Sequence, residues 1–253
     1  MKKLSVVVIT RDEEVNLPRC LKSVAWADEL IVVDSGSTDR TIEIAESFGA
    51  RVIRIEWHGF GPAKQAGLDQ AEGEWLLSLD ADEEVPAGLA NEIKTVVGEE
   101  REAVGYLMPR RTRFLGRWML HGGWYPDHIL RLFKRVSGRF TDASVHEAVV
   151  VDGPVARLNR DLLHYSYPTL EAYLSKFNHY TTLAAADAFS RGRNAPVARI
   201  VLNPVAKFIK QYILKAGFLD GTEGLVLAFL SAGYVLTKYA KLRELKRKEF
   251  KKS

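Results

Sequence analysis

A chain of 253 residues, 47% hydrophobic and 27% charged, can bury one sizeable core with a smaller appended unit and has the composition of a folded protein. Its single cysteine, Cys20, excludes an internal disulfide and fits a reducing compartment. The formal net charge of +4 is uneven: from Lys207 onward eleven Lys/Arg face four Asp/Glu, so that segment carries about +7 and the remainder about −3. A nucleic-acid-binding domain spreads its basic residues over the folded surface, and this chain does not.

The chain opens with two lysines and Leu4-Ser5-Val6-Val7-Val8-Ile9, which imitates a signal peptide. The apolar run is only about six residues and ends at Arg11-Asp12-Glu13-Glu14 without a small-residue cleavage site, so a buried first strand is expected. Further short Val/Ile/Leu-rich runs follow at Glu29–Val33, Arg51–Ile55 and Trp75–Leu79. Helical patterns lie between and after them, at about 14–24, 40–48, 62–71 and 86–97. This alternation predicts β-α-β units and a mostly parallel sheet with helices on both faces. Thr38-Asp39 and Pro86 are helix-opening signals.

From Val104 to about Leu158 aromatic and basic residues crowd together, and strands are expected only around 129–133 and 145–150. The last third reads as helical, near 170–191, 198–216 and 225–248, with Pro204 kinking the second helix or marking its start. No stretch reaches the roughly 20 apolar residues of a bilayer span.

Ligands of an open parallel sheet bind beyond the carboxyl ends of its strands. Three polar loops occupy those positions: Thr10-Arg11-Asp12-Glu13, Asp34-Ser35-Gly36-Ser37-Thr38-Asp39 and Asp80-Ala81-Asp82-Glu83. On an extended segment Asp80 and Asp82 point to the same side. Paired carboxylates with substrate phosphates suit Mg²⁺ or a similar hard cation. The alternative is a solvated acidic turn ahead of a helix, with Glu83 and Glu84 favouring the helix amino end. Asp34 suits either a nucleoside contact or an Asx turn supported by Gly36. Neither G-x-G-x-x-G after the first strand nor a P-loop is present, which argues against a dehydrogenase or a nucleoside triphosphatase.

The segments Ser5–Glu13, Ile31–Thr41 and Leu77–Glu84, in their order and spacing, resemble the motifs of family 2 glycosyltransferases. The resemblance covers the first hundred residues and implies a GT-A, Rossmann-like fold, a nucleoside-diphosphate sugar donor and inversion at the anomeric carbon. It places Thr10, Arg11, Glu13 and Asp34 on the nucleotide, Asp82 on the metal, and Asp80 on the ribose, the metal or a metal-bound water. Lys64 either reaches the donor or is a solvated helix lysine. The stretches Ile129–Arg135 and Val145-His146-Glu147 resemble a bacterial branch that adds glucose or a related sugar to the lipopolysaccharide inner core. Direct inversion requires a carboxylate to take the acceptor's proton, for which Glu147 is the candidate and Asp127 the reserve. His146 is a candidate metal ligand or a packed histidine, and Arg131 a phosphate ligand or a structural ion-pair partner. Trp118, Trp124 and Tyr125 either stack on sugar or belong to a core.

Towards the end, Val205–Leu219 and the uncharged run Leu225–Leu236 with its basic continuation from Lys238 suit helices lying in a membrane interface. The alternative is a pair of helices packed on the catalytic domain. The expected division is a GT-A domain over 1–165, with a nucleotide-sugar-binding half over 1–100 and an acceptor-side half over 101–165, and a helical membrane-associating extension over 166–253. The whole reads as a metal-dependent hexosyltransferase, peripheral on the inner face of the cytoplasmic membrane, acting on a lipid-linked saccharide without nucleic acid. Its rivals are a polyprenyl-phosphate glycosyltransferase and a nucleotide-binding membrane adaptor.

Overall fold

The computed structural model describes residues 3–141 and 149–250. All seven residues of β1 (Leu4–Thr10) are buried. Val6 and Val8 point to one face of the sheet and Val7 and Ile9 to the other. A strand can bury both faces only when helices cover both, and they do. On one side lie α1 (Leu17–Val24), α2 (Thr41–Ser47) and α4 (Ala87–Gly98), burying Leu17, Leu21, Ala45, Leu89 and Ile93. On the other α3 (Phe60–Gln70) contributes Ala63 and Leu68.

The sheet runs in the order β3 (Arg51–Arg54), β2 (Glu29–Asp34), β1, β4 (Trp75–Asp80), β8 (Asp127–Lys134), β6 (Gly105–Phe114), β12 (Leu162–Tyr167) and β5 (Glu83–Glu84). The first four strands are parallel, whereas β8 pairs antiparallel with both β4 and β6. The chain moves outward from β1 through β2 to β3 and returns on the far side of β1 as β4. The carboxyl ends of β1 and β4 therefore flank the switch point at which such sheets bind ligands. The register sets Thr10 beside Asp34 and Ile9 beside Asp80, so the three polar loops share one edge.

In the first hundred residues the expected elements are present with ends shifted by a few residues. The largest shift is at α1, which begins at Leu17 because Glu13–Asn16 forms a turn whose Glu13 carbonyl accepts from the Asn16 and Leu17 amides. Beyond residue 100, sequence patterning overlooks β6 and β12 and the short strands β7 (Arg117–Trp118), β9 (Gly138–Phe140) and β11 (Val155–Arg157). In β6 the run Pro109-Arg110-Arg111 resembles a loop, yet Tyr106 and Met108 are buried and Pro109 lies in register with His128. Of the expected strand at 145–150, Val149 and Val150 fall in β10 (Val149–Val151), and 145–148 lie outside the described residues.

The chain divides into two compact units, Met1–Arg111 with Asp127–Tyr165, and Thr112–Pro126 with Ser166–Ser253. The second holds α5 (Leu170–Ser190), whose Thr169 hydroxyl accepts from the Ala172 amide as an N-cap. It continues through α6 (Val197–Phe208), a π-helical turn (Ile209–Leu214), a 3₁₀ turn (Gly217–Asp220) and α7 (Gly221–Phe250). Its core gathers Phe114, Met119, Tyr173 and Leu227, with a smaller cluster of Ala185, Ala188 and Leu242. Pro204 sits inside α6 without ending it. The uncharged run of about twelve residues is embedded in one continuous helical segment, Gly217–Glu249, long and apolar enough by length and composition to cross a membrane. This corrects the expectation that no stretch qualifies, which counted only uninterrupted apolar residues.

A glycine sets the distance between α3 and the sheet. A Cβ at Gly67 would lie 2.3 Å from Val7 Cγ1 and 3.0 Å from Val33 Cγ2. This close approach carries Lys64, one turn earlier on the same helix face, into the interior. Gly67→Ala is expected to lower stability by about 1–3 kcal/mol through overpacking, read as a fall in the denaturant midpoint at unchanged slope; an unchanged midpoint contradicts the close approach.

Candidate active site

The loops after β1 and β2 hold each other through their short polar side chains. Asp34 is buried, its Oδ2 accepting from the amides of Gly36 (2.9 Å) and Ser37 (3.0 Å) and its Oδ1 from the Ser37 and Thr10 hydroxyls. This is the Asx turn, and Gly36, at φ +97°, makes the reversal. Asp12 accepts from the Thr38 amide at 2.8 Å, the Thr41 hydroxyl from the Glu13 amide at 2.8 Å, and Asp39 from the Glu14 amide at 3.1 Å. The Glu13 carboxylate accepts from Asn16 Nδ2 at 2.8 Å, and Arg11 is exposed at the bend that follows β1. Thr10, Arg11, Glu13 and Asp34 thus belong to one interlocked rim.

At the end of β4 a line of alternating charges begins, buried at Lys64, Arg131 and Glu83 and reaching the surface at Asp127. Lys64 is 2% exposed and its Nζ lies 3.0 Å from Asp80 Oδ1, which corrects the solvated reading of this lysine. From the other side Arg131 Nη2 donates to Asp80 Oδ2 at 2.5 Å and to Glu83 Oε1 at 2.8 Å. Glu83 is fully buried, and its other oxygen accepts from the Asp80 amide at 3.0 Å. Arg110 approaches Glu83 Oε1 at 3.5 Å and donates to Asp127 Oδ2 through Nε (3.1 Å) and Nη2 (2.7 Å). Three cations and three carboxylates balance along this line, as burial requires. Burial by itself would raise the Asp80 pKa, but the charges of Arg131 and Lys64 outweigh it and hold the carboxyl well below the usual range. Burial disfavours the Arg131 cation, yet Asp80 and Glu83 push its pKa above that of an ordinary arginine.

Asp82 belongs to a different environment. The strand stops at Asp80, and Ala81-Asp82 forms a turn before β5, so the two carboxylates do not project from one extended segment as expected. Both Asp80 oxygens face cations, whereas Asp82 Oδ1 lies 3.4 Å from His164 Nε2. His164 is placed by β12, whose pairing with β5 sets it beside Glu83 while the Tyr165 amide donates to the Asp82 carbonyl. One carboxylate oxygen and one imidazole nitrogen, completed by donor phosphate oxygens, are a donor set that fits a divalent cation. Among the described residues no group of three His, Cys, Asp or Glu side chains could hold a metal unaided.

Sequence reasoning missed His164, Glu83 and Arg110. For His164 a signal was present: in Leu162–Tyr167 the alternate positions 162, 164 and 166 share one face. Glu147 and His146 lie outside the described residues. In the second unit Trp124 packs on Phe114 and Tyr167, with centroids 6.3 and 5.9 Å away, and Trp118 lies under the Arg113 guanidinium at 5.9 Å. Cys20 lies beneath the site, its thiol 3.8 Å from the Asp80 carbonyl. Burial, then the charges of Glu83, Asp82 and Asp80, raise its pKa far above that of a reactive thiol.

Removing Arg131 leaves Glu83 buried against the weaker contact with Arg110, so Arg131→Met is expected to cost about 3–5 kcal/mol of stability. Arg110→Met leaves Glu83 bonded to Arg131 and frees a half-exposed Asp127, at a cost below about 1 kcal/mol. Equal losses in denaturant unfolding would contradict this ordering of the charge line.

Comparison with known proteins agrees with this architecture. The sequence profile of glycosyl transferase family 2 matches residues 5–158. The lipopolysaccharide core biosynthesis glycosyltransferase LpsC of Rhizobium meliloti is 28% identical over 256 residues, covering 94% of this chain and 93% of the relative. An uncharacterized glycosyltransferase of Rickettsia typhi is 29% identical over 257 residues, covering 97% and 88%. Among solved structures, the mannosyltransferase PcManGT of Pyrobaculum calidifontis, in complex with GDP-Man and Mn²⁺, shares the fold with a TM-score of 0.55 at 17% identity, covering 95% of this chain and 87% of that one. TarS 1-349 of S. aureus, in complex with UDP-GlcNAc, gives 0.51 at 15%, covering 99% and 92%. With the strand-end loops, the charge line and the family profile in agreement, this chain belongs to glycosyl transferase family 2 and has the GT-A fold.

Proposed function

We propose that the chain is an inverting, metal-dependent hexosyltransferase that moves a hexose, glucose first among candidates, from a nucleoside-diphosphate sugar to a lipid-linked saccharide such as the lipopolysaccharide inner core. The observation that carries this reading is the Asp82–His164 pair beside the neutralised Asp80, at the switch point of the parallel strands. The acceptor class is supported by the relative from Rhizobium meliloti, whose name assigns it to lipopolysaccharide core biosynthesis.

In this reading the rim of Thr10, Arg11, Glu13 and Asp34 receives the nucleotide, with Asp34 shaping the loop and Arg11 free to meet the ligand. Asp82 and His164 would hold Mg²⁺ or Mn²⁺ together with the donor diphosphate, and such an ion, when bound, would supply neutralisation of the leaving group's charge. Asp80 aligns Lys64 and Arg131 rather than ligating the ion, a narrower role than the metal or ribose contact implied by resemblance. Lys64 then acts on the donor through Asp80 and the turn that follows it. Glu147 takes the proton from the attacking acceptor hydroxyl. Asp127 is second choice, because its Oδ2 already accepts two bonds from Arg110. His146, next to Glu147 in the sequence, is the further candidate metal ligand. Work at the inner face of the cytoplasmic membrane follows from a lipid-linked acceptor and a nucleotide donor.

Glu147→Gln is expected to reduce kcat at least about 100-fold with KM for the donor within about threefold. Full retention of transfer would contradict the proton-abstraction step and favour a phosphate acceptor. Asp82→Asn and His164→Ala should each raise the metal concentration needed for half-maximal rate by about 10-fold or more, measured by Mn²⁺ titration of donor turnover. An unchanged half-saturation point in both variants would remove them from the metal site.

A further inference from the structure

The basic segment after Lys238 is the obvious membrane-binding element in the sequence, but the structure commits much of its charge elsewhere. Lys241 Nζ donates to Asn178 O and Oδ1, Thr181 Oγ1 and Thr182 Oγ1, all within 3.0 Å. Lys246 donates to Asn194 Oδ1 at 2.5 Å, Lys248 pairs with Glu244 at 2.7 Å, and Lys238 lies over the Tyr239 ring. Lys241 and Lys246 tie α7 to α5 and the residues that follow it, while the Lys248 and Lys238 contacts stay within α7.

The opposite condition holds on α6 and the turns that follow it. No residue of α6 is buried. Its Ile200, Asn203 and Phe208 are partly covered, Asn203 by a bond to the Tyr239 hydroxyl and Phe208 by the Phe229 ring. Val197, Val201, Leu202, Val205 and Ile209 recur at helical spacing on the outer side, each between 43 and 64% exposed. Ile213 and Leu214 on the π-helical turn extend the stripe, Leu214 at 75% exposure. Lys207, Lys210 and Lys215 cluster on its flank, with the Lys215 ammonium over Gly123. They lie close enough that burial and the charges of Lys215 and Lys210 push the Lys207 pKa below that of an ordinary lysine. Among the described residues none of these three pairs with a carboxylate.

We propose that this outer face, Val197 to Leu214 with Lys207, Lys210 and Lys215, is the surface that seats the protein on an anionic lipid bilayer, rather than the basic end of α7. An apolar stripe bordered by unneutralised lysines matches an interface in which acyl chains lie beneath anionic headgroups. The inference rests on the membrane-surface reading above and identifies the element that makes the contact. It also turns α6 parallel to the membrane plane, with α7 behind it.

The test is co-sedimentation of the full-length protein with vesicles of phosphatidylcholine alone or with about 30% phosphatidylglycerol. Wild type should bind the anionic vesicles and release in high salt. Leu202→Glu/Val205→Glu and Lys207→Gln/Lys210→Gln/Lys215→Gln should each lower partitioning at least about tenfold. Lys246→Gln/Arg247→Gln/Lys248→Gln should stay within about twofold of wild type. Donor hydrolysis in solution, measured on every variant, should remain at the wild-type rate and so report an intact fold. If wild type binds and the α6 variants bind equally, this face is not the contact, and the membrane reading itself survives. If wild type binds no vesicle, both fail. A wild-type oligomer that the α6 variants dissolve, without vesicle binding, would show that the face meets a second copy instead.

Discussion

The arrangement depends on one half-buried carboxylate held between two buried cations. Asp80 ends the strand that returns across the switch point, and Lys64 and Arg131 reach it from a helix and from an antiparallel strand. Each cation alone would be costly to bury, and so would the carboxylate. Together they allow the carboxyl edge of the sheet to be densely charged. Glu83 and Arg110 extend the same compensation to Asp127 at the surface. The line fixes the geometry of the turn Ala81-Asp82, which presents the next carboxylate to His164.

That constraint connects fold and chemistry. Gly67 brings α3 against Val7 and Val33 and so delivers Lys64. The β5–β12 pairing delivers His164, and the Asx turn at Asp34 shapes the facing rim. Each feature looks local, yet all of them act at the carboxyl ends of β1, β2 and β4. A site held by buried charge pairs is also preorganised, since the pairs tolerate little movement in a medium of low dielectric.

Much of this was legible in the sequence, for identifiable reasons. The valine-rich runs of the first hundred residues are buried on both faces, so hydrophobicity alone marks the strands, and the polar residues that follow mark the edge. Family resemblance then supplied the donor class. What the sequence concealed depends on partners distant along the chain. Asp80 and Asp82 look equivalent as letters, and only the positions of Lys64, Arg131 and His164 separate a neutralised carboxylate from one facing an imidazole. Glu83 read as a helix-start residue because nothing nearby shows that Arg131, 48 positions later, buries with it. Strand β6 was missed because Pro109 and two arginines interrupt its apolar pattern. In the second unit the cations after Lys238 read as a free basic patch, although four oxygens of α5 hold Lys241.

In the proposed function, this edge of the sheet activates a nucleotide sugar with the help of a divalent cation. Its most direct test is turnover of a panel of nucleoside-diphosphate sugars by the wild-type protein, with Mg²⁺ or Mn²⁺ and then with excess chelator. At least one donor should be consumed in the presence of metal, and chelation should abolish its turnover, restored by adding the ion back. Turnover of the same donor at the same rate under chelation would contradict it.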